Sequence, residues 1–123
     1  MSVANSRETL RLEAEGSEEA QRLIAVAALG MCRALATGAL SPAYACHSLF
    51  APALLMRLEK SDAIPALREA IHLATELEDV ARHVPNKLAD SISEVEAELL
   101  RALKKLAPHD FAGEKWLVKT PRR

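Results

Sequence analysis

The amino-acid sequence predicts an all-α protein, a compact bundle of about five helices, two of them short. Three observations carry that expectation. Helix-start signals recur along the chain: Ser17 before Glu18 and Glu19, Ser41 before Pro42, then Pro52, Pro65 and Pro85. Apolar residues in the last of these segments return every three or four positions, the helical period. Half of the 123 residues are hydrophobic and 27% are charged, a globular balance in a chain long enough to bury one core.

Residues 1–8 read as a flexible leader, 9–107 as a single helical domain and 108–123 as a basic C-terminal tail. Between Thr9 and Glu15, Leu10, Leu12 and Ala14 alternate with Arg11, Glu13 and Glu15, the period of a strand. Gly16 stops it. Ser17 then caps a helix running to about Thr37 and ending at Gly38, the residue that tolerates a left-handed terminus. Leu23, Ile24, Ala27, Leu29, Met31, Cys32 and Leu35 spread around most of its circumference, which predicts a central position. Ser41-Pro42 open a short helix to about Phe50, with Tyr44, Cys46 and Leu49 inward. Pro52 opens another to about Lys60, carrying Leu54, Leu55 and Leu58, and Ser61-Asp62 form the turn after it.

A longer helix is expected from Ala63 to about His83, with Pro65 in its first turn, and Pro85 starts the last one, to about Leu106. There Leu88, Ile92, Val95, Leu99, Leu103 and Leu106 fall in a seam roughly 60° wide. Asp90, Glu94, Glu96 and Glu98 stand toward its start and Arg101, Lys104 and Lys105 at its end, as the helix dipole favours. Past Pro108, the run Lys115–Thr120 is strand-like. Either it pairs with Thr9–Glu15 as a small two-stranded β ribbon formed by the two ends, which is the favoured reading, or it is a loose basic end.

Composition removes several function classes. With 16 basic and 17 acidic residues the formal net charge is −1, so no surplus of Lys and Arg exists to neutralise phosphates. The aromatics are Tyr44, Phe50, Phe111 and Trp116, too few for a base-stacking platform, and no nucleic-acid partner is expected. The segment Leu23–Leu40, interrupted by Gly30, Arg33, Thr37 and Gly38, is too polar to span a bilayer, and no membrane partner is expected. The first residues lack the basic-then-apolar pattern of an export signal, which predicts a cytoplasmic address. Cys32 and Cys46 then read as buried reduced thiols, the alternative being one disulfide.

One stretch suggests chemistry. His72, Glu76, Asp79 and His83 are spaced four, three and four apart, so a continuous helix projects all of them from one stripe. Helical metal sites use such side chains at such spacings. Leu67, Ala70, Ala74, Leu77 and Ala81, however, centre on the opposite side, which turns the row outward. No second helix offers a matching set, so neither a metal nor a cofactor is expected. Glu78 lies between Leu67 and Ile71 on the helical wheel, at the apolar edge, where a lone carboxylate is costly to bury. Two readings stand. Paired by Arg82, Arg33 or Arg57, Glu78 fixes helix packing; alternatively it joins Glu76 and Asp79 in an acidic patch for a basic partner.

No catalytic residues are expected. Cys46 and His47 are sequence neighbours whose side chains diverge by about 100° on a helix. No Gly-x-Ser-x-Gly, glycine-rich phosphate loop or Cys-x-x-Cys occurs, and the chain has four glycines in all. Read as the second helix of a helix-turn-helix, Pro52–Lys60 offers Arg57 and Lys60 against three leucines, a poor base reader.

The segments Leu35–Ala45, Leu49-Phe50-Ala51-Pro52, His72–Val80 and Pro85-Asn86-Lys87-Leu88 resemble a family of small bacterial proteins of unknown function. In it a G-x-L-S segment, an L-F-x-P segment and an H-L-x-T-E-L-E-D-V box recur in this order. The likeness runs from about Leu10 to Leu106, leaves the basic tail from His109 outside it, and implies a fold but no activity.

The expected function is a non-enzymatic protein-interaction domain of the immunity or inhibitor type, binding a bacterial toxin or a similar basic partner. His72, Glu76, Glu78, Asp79 and His83 would be its partner-binding residues. Two other readings remain open: a homodimeric structural or adaptor protein, self-associating through the leucine seam or the N-terminal strand, and an unrecognised enzyme or metal-binding helical protein.

Overall fold

A computed structural model describes residues 8–106 and 115–118. The leader expected over residues 1–8 lies outside them except for Glu8, and so does the basic tail apart from residues 115–118. The elements are α1 (Ser17–Ala36), α2 (Pro42–Ser48), α3 (Pro52–Lys60), α4 (Pro65–Ala74), α5 (Leu77–His83), a 3₁₀ turn over Pro85–Lys87 and α6 (Leu88–Lys105). They form a compact helical bundle.

Helix ends follow the local chemistry closely. The Ser41 hydroxyl accepts the Tyr44 N–H at 3.1 Å and Pro42 opens α2, as a Ser-Pro start requires. At the end of α1, Gly38 stands at φ 81°. Its N–H donates to Leu35 O at 3.1 Å, and the Ala39 N–H donates to Ala34 O at 2.9 Å. This is a Schellman closure, and the positive φ makes glycine the residue for it. The other end of α1 departs from expectation. Gly16 (φ 88°) holds the cap position, and Ser17 is the first helical residue. The Ser17 hydroxyl instead accepts from Gln21 Nε2 at 3.1 Å.

The helix expected over 63–83 is two helices. Thr75 and Glu76 form a turn between α4 and α5, with the Glu76 N–H donating to Leu73 O, three residues back, at 3.1 Å. The Thr75 hydroxyl donates to His72 O at 2.6 Å, a side chain competing for a carbonyl of the ladder.

α6, not α1, is the central helix: it packs between α1 and α4. Its Ile92, Val95, Leu99 and Ala102 are buried, followed by Leu106 just past its end, while Leu88 and Leu103 pack from the margins. The leucine seam is therefore used inside the chain. Val26, Ala27 and Gly30 on α1 face solvent, because the residues that meet the core are Gln21, Ala25, Ala28, Cys32 and Leu35. Small residues line the contacts, with Ala25 and Ala28 of α1, Ala66, Ala70 and Ala74 of α4, and Ala102 of α6 all buried. Phe50, Leu67, Ile71, Leu77 and Leu99 fill the space between. Tyr44, expected inward, is 53% exposed, since Ala45 takes the buried position of α2.

Polar ties from α1 cross the bundle. Gln21 is 6% exposed; its Oε1 accepts the Ile64 N–H at 2.9 Å and so satisfies the residue that leads into α4. Arg33 of α1 reaches both carboxylate oxygens of Glu96 of α6, at 3.0 and 3.1 Å.

The ends meet, but not as the expected ribbon. Leu12 and Leu117 form an isolated antiparallel bridge, supported by Glu13 N–H to Trp116 O at 2.7 Å and Val118 N–H to Arg11 O at 3.0 Å. Among the described residues no strand forms around it. Leu10, Leu12 and Leu117 stay largely exposed, so the alternating apolar face gains too little burial to extend the ladder. The Trp116 indole N–H donates to Glu19 of α1 at 2.9 Å and fastens this bridge to the bundle.

Leu99→Ala is expected to lower the unfolding free energy by about 2–5 kcal/mol in urea denaturation, because Leu99 is fully buried in the central helix. Glu94→Ala on its exposed side should change it by less than about 0.5 kcal/mol.

Candidate functional site

The break between α4 and α5 reorganises the row singled out by the sequence. In an unbroken helix the N–H groups of Leu77 and Glu78 would bond to Leu73 O and Ala74 O. Those ladder bonds are not made. The Cys46 thiol of α2 reaches the gap and donates to Ala74 O at 3.6 Å. A side chain remote in sequence thus satisfies a carbonyl that the break exposes.

The Cys46 pKa is raised, first by burial; the Glu78 N–H opposes this, the Glu78 and Asp79 carboxylates add to it, and the Leu77 N–H opposes it. Cys32 is pushed up to about 12, first by burial and then by the Glu96 carboxylate, with Arg33 opposing. Both cysteines are free thiols.

His72 and Glu76 remain together, with Nε2 to Oε2 at 3.7 Å and both side chains more than half exposed. Beyond that pair the row divides. His72 borders a groove toward α3, lined also by Leu55, Glu59, Pro65, Arg68 and Glu69. Glu76, Asp79 and His83 surround a shallow depression whose floor is Val80 and Val84. The face is outward, opposite the buried Leu67, Ala70, Ala74 and Leu77. Among the described residues no three His, Cys, Asp or Glu side chains are placed to hold a metal ion.

Glu78 lies at the boundary, partly buried, and Arg82 is the partner that pairs with it. Its side chain is 41% exposed and its Oε2 meets Arg82 Nη2 at 3.5 Å. Arg33 pairs with Glu96 instead, and Arg57 lies on α3. The helix is interrupted at Thr75–Glu76, and Glu78 keeps its place at the apolar edge.

Three residues of this face carry no signal that a polar pattern search registers. Val80 and Val84 read as ordinary apolar positions, yet Val84 is 42% exposed beside Pro85. Arg68 places in the groove wall a buried Nε that has no hydrogen-bond partner among the described residues. An apolar residue beside a helix-ending proline was the available clue to Val84. Among the described residues no helix is long and apolar enough to cross a membrane.

A family model described as a protein of unknown function matches residues 15–118. No curated protein and no solved structure matches the chain.

Two outcomes follow from this geometry. Glu78→Ala should lower stability by less than about 1 kcal/mol in chemical denaturation, the scale of an exposed ion pair. A thiol with a raised folded pKa holds its proton more tightly folded than unfolded, so its contribution is full below the ordinary 9.0 and is lost as pH rises toward 12. Wild-type stability measured in urea should therefore fall more steeply between those limits than that of Cys32→Ala. Native-state thiol labelling should modify Cys32 only on unfolding.

Proposed function

The chain belongs to the DUF3969 family, whose function is unknown, and we propose that it is a non-enzymatic protein-interaction domain whose partner face is the outer surface of α4 and α5. The observation that carries this reading is the depression formed by Glu76, Asp79, Val80, His83 and Val84. An exposed valine floor inside a rim bearing two carboxylates suits a Lys or Arg side chain: the aliphatic stem covers the valines while the charged head meets the acids. Polar rims around a small apolar centre are also the usual build of protein interfaces.

The partner is a basic protein, and the biological class that fits is an immunity or inhibitor-type interaction with a bacterial toxin or a similar basic target. An acidic patch of this kind steers association toward a positive cleft. Glu78, held beside Arg82, borders the patch, and His72 extends it toward α3. A homodimer is the second reading. The buried leucine seam of α6 gives it no support; the exposed Val26 of α1 and Leu100 of α6 do.

Affinity capture from the host cell with tagged wild type and the Glu76→Lys, Asp79→Lys double variant tests the proposal. One protein of basic isoelectric point should co-purify with wild type and be lost from the variant, with both baits melting within a few degrees of each other. Bait alone, eluting as a dimer in both cases, would overturn the reading in favour of self-association.

A further inference from the structure

Away from the α4–α5 face, a groove of about 360 Å³ opens between the first two turns of α1 and the last two of α3. Ala20 and Ile24 form one apolar wall and Leu54 and Leu58 the other. Its polar lining is one-sided in character. Arg57 stands at the mouth, exposed, with no carboxylate in ion-pair range among the described residues. Among the described residues no Asp or Glu lines the groove.

Deeper in, the buried Gln21 uses its Oε1 on the Ile64 N–H and one Nε2 hydrogen on the Ser17 hydroxyl. An amide nitrogen carries two hydrogens, so the second is left over. Ser17, having accepted from Gln21, keeps its own hydroxyl hydrogen to give. The groove therefore gathers a guanidinium, an amide N–H and a hydroxyl that have no acceptor among the described residues, above walls that are hydrocarbon. Its size lies at the low end of small-molecule sites, and the pattern of apolar walls with a few placed donors is the one such sites use.

We propose that this groove binds a small aliphatic carboxylate, with the carboxylate on Arg57 and within reach of the Gln21 and Ser17 donors, and the alkyl chain between Ile24 and the Leu54–Leu58 wall. A single guanidinium balances one negative charge, and its planar fork matches a carboxylate in two parallel hydrogen bonds. The same chemistry has two sources, a free acid or the carboxyl end of a polypeptide finishing in an apolar residue. This site is separate from the partner face on α4 and α5 and does not depend on it.

The test is an NMR titration of the isotope-labelled full chain with hexanoate, and in parallel with hexanamide, which has the same chain and no charge. Hexanoate should shift the amides of residues 17–24 and 54–61, with hexanamide at least tenfold weaker. Arg57→Gln should weaken hexanoate at least tenfold while its melting temperature stays at the wild-type value, since Arg57 is exposed and forms no ion pair among the described residues. A short peptide ending in Val-Leu, as free acid and as amide, separates the two sources. A free-acid peptide binding at least tenfold tighter than hexanoate assigns the groove to chain ends, and one binding no tighter assigns it to free acids. Equal binding of hexanoate and hexanamide, undiminished binding to Arg57→Gln, or shifts centred elsewhere would each overturn the proposal.

Discussion

The bundle depends on how closely its helices can approach α6. At the contacts stand alanines, Ala25 and Ala28 from α1, Ala66, Ala70 and Ala74 from α4, and Ala102 from α6 itself. A methyl group at a crossing lets two helix axes come to the near end of the usual separation, and the longer side chains then interdigitate beside it. The short helices rely on this. α2 has seven residues and α3 nine, lengths at which an isolated helix is marginal in water. They persist because Phe50 and Leu58, one at the junction between them and one on α3, reach into a core already drawn tight by α1, α4 and α6.

The same closeness makes room for the break that shapes the outer face. α2 lies near enough to α5 for Cys46 to reach the opened ladder at Ala74. The thiol acts as donor to the Ala74 carbonyl from a half-buried position. With the break satisfied, α5 takes its own direction, and Glu76, Asp79 and His83 gather around Val80 and Val84 instead of continuing the line that begins at His72. A packing solution on the inner side of the chain thus determines which side chains share a surface on the outer side.

Signals confined to a few neighbouring residues were legible in the sequence. Ser41-Pro42, Pro52 and Gly38 each mark an element end by their own backbone chemistry, and the spacing from Leu88 to Leu106 identifies the face of α6 that is buried. The outward direction of His72, Glu76, Asp79 and His83 was legible for the same reason, since the alanines and leucines opposite them are buried. The break at Thr75–Glu76 was not. No glycine or proline stands there, and its stabilising partner, Cys46, is remote in sequence. α1 looked central because its apolar residues surround it, yet burial depends on what neighbours are available, and α6 occupies the middle. The strand-like ends alternated correctly, but alternation does not supply the second face that a ribbon must cover.

The bridge between Leu12 and Leu117 joins points at opposite ends of the described chain. Closing so long a loop carries a large entropy cost when the intervening segment is a flexible coil, and two backbone hydrogen bonds with the Trp116–Glu19 contact are small beside it. The contact becomes favourable only once α1 and α6 have docked and brought the ends into range. In kinetic terms it belongs after the transition state: it forms last on folding and opens first, so its strength governs how quickly the ends come apart while leaving the rate at which the bundle assembles unchanged.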